Sequence, residues 1–110
     1  MKSNIGLLVL MAMMVATCTL ANDALEFSLV IKDHQFEPAT LNVPAGGKIK
    51  LIIDNQDATP EEFESHSLNR EKIIQGHHKG IVYVGPLKKG RYDYFGEFHD
   101  KTARGVIVAD

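Results

Sequence analysis

The sequence predicts an all-β sandwich, and two patterns support this prediction. In residues 25–31 and 48–54, apolar side chains alternate with other side chains, as they do in a strand with one buried face. Turn-forming residues separate such segments at intervals of about 8–12 residues, which is typical of small β sandwiches. No segment repeats its apolar residues at the helical period for long enough to form a helix. We therefore expect seven or eight strands in a Greek-key sandwich or barrel.

The predicted strands follow one another closely along the chain. Phe36-Glu37-Pro38 predicts a turn after the first strand, and Pro44-Ala45-Gly46-Gly47 ends the second. Residues 75–80 and 85–90 contain glycines and predict further turns. The predicted strands are residues 25–31, 40–43, 48–54, 61–68, 71–74, 81–84, 91–95 and 105–108.

Residues 1–21 are predicted to be a secretory signal peptide. Lys2 supplies the positive charge, and residues 5–16 form an uncharged, largely apolar segment that is too short to span a bilayer. Residues 19–21 form an acceptable cleavage site, so we place the cut after residue 21. An alternative interpretation treats residues 15–18 as a lipoprotein box in which Cys18 is acylated. We expect the protein in the periplasm, and lipid anchoring at Cys18 remains the alternative.

Residues 22–110 form one predicted domain that lacks sulfur. The one cysteine, Cys18, and all four methionines precede residue 22, so this domain has no disulfide and no thiolate. Without Lys2, its 11 basic residues face 14 acidic ones, which gives a net charge of −3 with histidine neutral. This balance argues against nucleic acid or an anionic membrane surface as a partner.

Two segments extend the prediction to a family. Residues 36–49, FEPATLNVPAGGKI, resemble the opening strands of cupredoxins. Residues 85–99, GPLKKGRYDYFGEFH, followed by GVIV at residues 105–108, resemble the last hairpin of that fold. The resemblance covers nearly all of the predicted domain and implies a cupredoxin-like domain over residues 22–110.

Two shorter motifs point to a subgroup of these proteins. Residues 57–66, DATPEEFESH, and residues 95–99, FGEFH, resemble small periplasmic cupredoxin-like proteins of bacterial ferrous iron uptake systems. The resemblance implies a role beside a high-affinity iron permease and other periplasmic iron-uptake components. In that role the protein reaches the membrane only through its partners.

The resemblance also implies a place for metal ligands. A type 1 copper site uses two histidines, a cysteine thiolate and usually a weak axial methionine. His66 and His99 stand in the places of the two histidines. The place of the cysteine falls on Phe95 or Gly96, and the place of the methionine falls on residues 103–104. The thiolate of a blue-copper centre is therefore absent.

Carboxylates stand beside both predicted histidine ligands. Glu64 precedes His66 by two residues, and Glu97 precedes His99 by two. Two imidazoles and two carboxylates suit Fe(II), Mn(II), Zn(II) or Cu(II) better than Cu(I). We predict these four residues as ligands of an iron or copper ion. Further candidates are Glu62 and the pair His77 and His78.

Three other side chains near this site receive different predictions. We predict Glu61 as part of a solvated acidic rim and His34 as a structural or exposed histidine. Arg104 is predicted to form an ion pair with Glu97 or Glu64.

Three functions remain open at the level of sequence. The first is metal binding in ferrous iron uptake, the second is catalysed oxidation of Fe(II), and the third is a metal-free module that docks to other uptake components. The sequence shows no nucleophile–base motif and no phosphate-binding loop, so a hydrolase or transferase activity is unsupported.

Overall fold

The computed structural model describes residues 23–110, and these residues form nine strands in two sheets. The predicted signal peptide lies outside the described residues. Within residues 23–110, no helix is long and apolar enough to cross a membrane. The strands are β1 (Leu25–Lys32), β2 (Gln35–Glu37), β3 (Thr40–Val43), β4 (Ile49–Asn55), β5 (Glu61–Ser65), β6 (Arg70–Ile74), β7 (Lys79–Val84), β8 (Gly90–Gly96) and β9 (Arg104–Ala109), with a 3-10 turn at Glu97–His99.

The two sheets confirm the predicted all-β sandwich. One sheet has the strand order β2-β1-β4-β7, and the other has the order β3-β9-β8-β5-β6. The pairs β1–β4 and β3–β9 are parallel, and the remaining neighbours are antiparallel. Parallel neighbours require long connections, so the chain crosses between the sheets.

The described residues contain one strand more than the sequence predicted. Residues 35–37 were predicted as a turn region, but they form β2, which pairs with the end of β1. The two-residue loop Asp33-His34 makes this hairpin, and both residues have positive φ angles, 53° and 58°. Positive φ at both loop positions is the conformation that matches the twist of the flanking strands. A three-residue strand is too short to show an alternating pattern.

The core lies between the sheets and contains three aromatic rings. Phe36 of β2, Phe63 of β5 and Tyr94 of β8 are all buried. The ring centroids of Phe63 and Tyr94 are 5.1 Å apart, and the centroids of Phe36 and Tyr94 are 5.0 Å apart with an edge-to-face geometry. Aromatic pairs at such distances add about 0.5–1.5 kcal/mol beyond their burial. Because β2, β5 and β8 meet here, this cluster fixes how the two sheets face each other.

Asn55 organises the loop that follows β4. Its side chain is completely buried, and Nδ2 donates to the carbonyl oxygens of Thr59, at 2.9 Å, and Ile74, at 3.1 Å. Its Oδ1 accepts from the backbone N–H of Asp57 at 3.0 Å. A single amide therefore holds both ends of the loop and ties it to β6.

Replacement of Asn55 tests this role. We expect Asn55→Ala to lower the free energy of unfolding by about 1–3 kcal/mol, because it leaves buried backbone groups without partners. Urea denaturation followed by circular dichroism measures the change. The control is Gln56→Ala, which removes an exposed amide from the next position and should stay within about 0.5 kcal/mol of wild type. Equal effects of the two substitutions would contradict the assignment.

Candidate metal centre

Glu61 is a buried carboxylate at the start of β5. Its exposed fraction is 1%, because the inward face of β5 carries Glu61, Phe63 and Ser65. The prediction that Glu61 belongs to a solvated rim is therefore wrong. Oε1 accepts from the backbone N–H groups of Glu62, at 3.0 Å, and Phe98, at 2.9 Å. Oε2 lies 2.7 Å from Nδ1 of His99.

His99 ends the 3-10 turn and is held by Glu61. Because a carboxylate oxygen accepts hydrogen bonds, Nδ1 of His99 donates to Oε2 of Glu61. In the neutral form of the ring, this hydrogen bond leaves the lone pair on Nε2. The side chain of His99 is 28% exposed, so the ring is not sealed inside the protein. Its imidazole stacks on that of His34, with ring centroids 3.6 Å apart and planes 10° apart.

Asp57 fixes the position of His34. Its Oδ1 accepts from the backbone N–H of Asp33 at 2.8 Å, and its Oδ2 accepts from the backbone N–H of His34 at 3.0 Å. Oδ2 also lies 3.4 Å from Nδ1 of His34. The carboxylate of Asp57 thus holds the positive-φ loop and faces the imidazole that this loop carries. The two stacked imidazoles each have Nδ1 beside a carboxylate.

The charge state of Asp57 reflects these contacts. Burial acts to raise its pKa, but the backbone N–H groups of His34 and Asp33, followed by the charges of His34 and His99, outweigh burial. The pKa of Asp57 is therefore lowered from its ordinary value of 3.8. The carboxylate of Asp57 is therefore ionised in the folded protein at neutral pH.

No three of the four predicted ligands converge within 4.8 Å of one another in residues 23–110. Glu64 lies on the outward face of β5, opposite the buried face that carries Glu61. His66 lies beyond the end of β5, is exposed, and has its ring centroid 5.6 Å from that of Phe95. The predicted alternation through residue 68 fails because β5 ends at Ser65. Only His99 of the predicted set contacts a buried carboxylate.

Glu64 belongs instead to an acidic cluster that we define as Glu62, Glu64 and Glu71. Their carboxylate oxygens lie within 4.8 Å of one another, and no other set of three His, Cys, Asp or Glu in residues 23–110 converges this closely. Partial burial, the charge of Glu71 and then the charges of further glutamates, including Glu97, raise the pKa values of Glu62 and Glu64. Glu97 therefore belongs to the electrostatic surroundings of this cluster.

The remaining candidates occupy two other places. His77 and His78 are both exposed in the loop between β6 and β7. The backbone N–H of His77 donates to the carbonyl oxygen of Asp57 at 2.9 Å, and Nδ1 of His78 lies 2.7 Å from the carbonyl oxygen of Gly76. The loop of His77 and His78 therefore adjoins the loop that carries Asp57. Among the described residues, no side-chain hydrogen bond or ring contact joins His77 or His78 to His99.

Arg104 does not form the predicted ion pair. Its Nε donates to the carbonyl oxygen of Asp100 at 2.7 Å, and its guanidinium lies 5.4 Å from the centroid of the Phe95 ring. Within residues 23–110, no carboxylate lies in ion-pair distance of this guanidinium. The arginine is therefore held by a backbone carbonyl and an aromatic face.

The thiolate copper centre does not fit the residues at this end. Gly96 carries no side chain, and Glu61 and Ala103 border the space beside it. The described chain contains neither cysteine nor methionine. What the site offers is imidazole nitrogen and carboxylate oxygen, which suits harder divalent cations.

The sequence did not predict three members of this arrangement: Glu61, His34 and Asp57. A signal for Glu61 was present, because Phe63 is the one large apolar residue in residues 61–65 and strand alternation places residue 61 on the same face. For His34 and Asp57 the signal was weaker. They are 23 residues apart, and only the folded loops bring them together.

Known proteins share this architecture. Residues 5–109 match the family model described as "Cupredoxin-like domain". An uncharacterised protein of Rickettsia prowazekii (strain Madrid E) is 48% identical over 89 residues, which cover 81% of this chain and 71% of that protein.

Solved structures show the same fold at low sequence identity. Auracyanin A, a blue copper protein of the bacterium Chloroflexus aurantiacus, has a TM-score of 0.69 at 15% identity and covers 80% of this chain and 100% of its own. Amicyanin of Paracoccus versutus has a TM-score of 0.58 at 16% identity, covering 81% and 83%. A purple cupredoxin of Nitrosopumilus maritimus has a TM-score of 0.58 at 17% identity, covering 80% and 100%.

The lowered pKa of Asp57 predicts an acid-dependent contribution to stability. A depressed carboxylate pKa stabilises the fold above the unfolded value, and this stabilisation is lost as pH falls through the folded value. We expect Asp57→Asn to lower the urea midpoint at neutral pH, and the difference from wild type to shrink as pH falls below about 3.8.

Asp33→Asn provides a matched control. It removes the same charge from the adjoining loop but keeps the carboxylate of Asp57, so its difference from wild type should vary less with pH. A pH-independent difference between Asp57→Asn and wild type would show that Asp57 does not act through its charge.

Proposed function

The chain belongs to the family of cupredoxin-like domains. We propose that it is a periplasmic protein that binds iron or copper and takes part in ferrous iron uptake. One observation carries the metal-binding part. The imidazoles of His34 and His99 stack 3.6 Å apart, and each presents Nδ1 to a carboxylate. Histidines that bind metals commonly direct their other ring nitrogen to a carboxylate in this way.

The contacts of His99 prepare it as a ligand. Its hydrogen bond to the buried Glu61 selects the tautomer in which Nε2 has a free lone pair. Partial exposure leaves the ring accessible from solvent. In this proposal His99 supplies the first nitrogen ligand, and Glu61 orients it. The lone pairs of parallel stacked rings do not converge, so His34 must turn out of the stack to supply the second. A bound divalent ion would add a positive charge that the nearby carboxylates stabilise.

The outer acidic cluster supports a cation as cargo. Glu62 follows Glu61 directly, and its backbone N–H donates to the Glu61 carboxylate, so the cluster adjoins the metal centre along β5. Clustered carboxylates raise the local concentration of cations near a site. The predicted ligand set of Glu64, His66, Glu97 and His99 remains a prediction beside this one.

Two motifs, DATPEEFESH and FGEFH, support a role in iron uptake, because they resemble segments of periplasmic proteins of that pathway. The predicted signal peptide supports export, and the resemblance supports a high-affinity iron permease and other periplasmic components as partners. In this role the protein holds the ion and passes it toward the permease, or assists the oxidation of Fe(II).

A metal-free docking module is the second candidate, and one observation favours it. Among the described residues, Tyr94 Oη is the one buried side-chain nitrogen or oxygen that has no hydrogen-bond partner. The buried carboxylate of Glu61 is therefore satisfied within the chain. A protein of this kind keeps its fold without an ion and uses its surface to bind other components.

Metal titration tests the proposal. Residues 22–110, without a tag, are titrated with Fe(II) under anaerobic conditions and with Cu(II) in air, and binding is followed by calorimetry. We expect one ion to bind to wild type, and His34→Ala/His99→Ala to weaken binding by at least about tenfold, because both nitrogen ligands are lost. Admitting oxygen to the Fe(II) form measures any acceleration of oxidation.

His66→Ala separates the two ligand sets. It removes an exposed imidazole outside the stacked pair, so we expect it to bind as wild type does. Loss of binding in His66→Ala with retention in His34→Ala/His99→Ala would instead support the ligand set predicted from sequence. If wild type binds neither ion more tightly than the double variant, the docking module becomes the better candidate.

A further inference from the structure

Gly96 and Glu61 approach each other closely where β8 meets β5. Gly96 pairs with Phe63 in the ladder between these strands. A Cβ atom added to Gly96 would lie 2.6 Å from Cδ of Glu61, 2.8 Å from its Oε2 and 2.8 Å from Cβ of Ala103. These distances are far shorter than van der Waals contact. The carboxylate of Glu61 thus occupies the volume that a side chain at position 96 would need.

Hydrogen bonds hold both the carboxylate of Glu61 and the backbone of Gly96 in place. Three hydrogen bonds, from two backbone N–H groups and from His99, fix the carboxylate of Glu61. The backbone N–H of Gly96 donates to the carbonyl oxygen of Ala103 at 2.9 Å, and this hydrogen bond holds the backbone of Gly96 beside Ala103. A larger residue at position 96 must therefore break buried hydrogen bonds or distort the ladder.

We propose that Glu61 and Gly96 form an interlocked pair that determines the ligand class of this end of the sandwich. Glu61 excludes every side chain, and a thiol in particular, from position 96, and it also occupies Nδ1 of His99. Where a metal binds as proposed above, this pair limits its ligands to nitrogen and oxygen. The preference is then for Fe(II), Cu(II) or similar ions over Cu(I), which favours sulfur.

The interlock of Glu61 and Gly96 adds a steric constraint to the absence of a cysteine. If only the cysteine were missing, one substitution at position 96 would supply a sulfur ligand next to His99. If Glu61 fills the space, that substitution destabilises the protein and yields no sulfur site until the side chain of residue 61 is shortened.

A double-mutant cycle without metal tests the interlock. Gly96→Ala is measured in wild type, in Glu61→Ala and in Glu61→Asp, which shortens the side chain by one methylene and keeps its charge. We expect Gly96→Ala to lower the folding equilibrium constant of wild type by about tenfold or more, and to have a clearly smaller effect in both shortened backgrounds.

Gly47→Ala is the matched control for the glycine substitution. A Cβ added to Gly47 meets no atom within 4 Å, so this substitution should leave the urea midpoint near the wild-type value. The interlock is overturned if Gly96→Ala is as mild as Gly47→Ala, or if its effect is the same in all three backgrounds.

Copper spectroscopy tests the consequence for ligand class. Gly96→Cys and Glu61→Ala/Gly96→Cys are titrated with Cu(II), and a strong visible thiolate-to-copper charge-transfer band is sought. We expect the band in the double variant and none in Gly96→Cys alone. A band of equal strength in the single variant would show that Glu61 does not exclude sulfur.

The stability cycle separates this inference from the proposed function. If wild type binds no ion while the cycle shows coupling, metal binding fails and the interlock stands. If wild type binds metal while the cycle shows no coupling, the interlock fails and the proposed function stands.

Discussion

The carboxylate of Glu61 connects two parts of the chain that are distant in sequence, the start of β5 and residues 96–99. It accepts hydrogen bonds from β5 itself, from the 3-10 turn and from the imidazole of His99, while the backbone of Gly96 passes beside it. A buried carboxylate is tolerated only when such donors compensate for the loss of water. The loop before β9 must therefore fold against β5 in one arrangement. His99 can stack on His34 only because that arrangement holds it.

A second carboxylate, that of Asp57, fixes the position of His34, the other imidazole of the stacked pair. The buried amide of Asn55 shapes the loop after β4, and this loop places Asp57 against the hairpin loop at Asp33 and His34. The stacked imidazoles thus stand between two carboxylates, one from strand β5 and one from the loop after β4. Each ring is therefore oriented by a carboxylate that lies outside the stacked pair.

The two faces of β5 carry carboxylates with different environments. On the inner face, Glu61 is satisfied by specific donors. On the outer face, Glu62 and Glu64 adjoin Glu71, and partial burial together with their mutual repulsion raises the pKa values of Glu62 and Glu64. One strand therefore separates an ordered, hydrogen-bonded carboxylate from an acidic surface that attracts cations.

The sequence by itself determined the fold class and the chemical character of the protein. Alternation in β1 and β4 marks strands with one buried face, and turn residues separate them, so a β sandwich follows from local patterns. Residues 22–110 contain neither cysteine nor methionine, so this part of the chain supplies no sulfur ligand. His99 was predicted as a ligand because its motif next to the last strand resembles that of a known family, and this role stays a prediction.

Tertiary structure alone decided which side chains surround His99. Strand alternation places Glu61 on the face of Phe63, but only the packing of that face between the sheets shows that this carboxylate is buried. The aromatic packing of Phe63 turns position 61 inward and position 64 outward. His34 joins the site through a three-residue strand and a carboxylate 23 residues away. Contacts of this kind depend on how separate loops meet in space, and a local sequence pattern carries no information about that meeting.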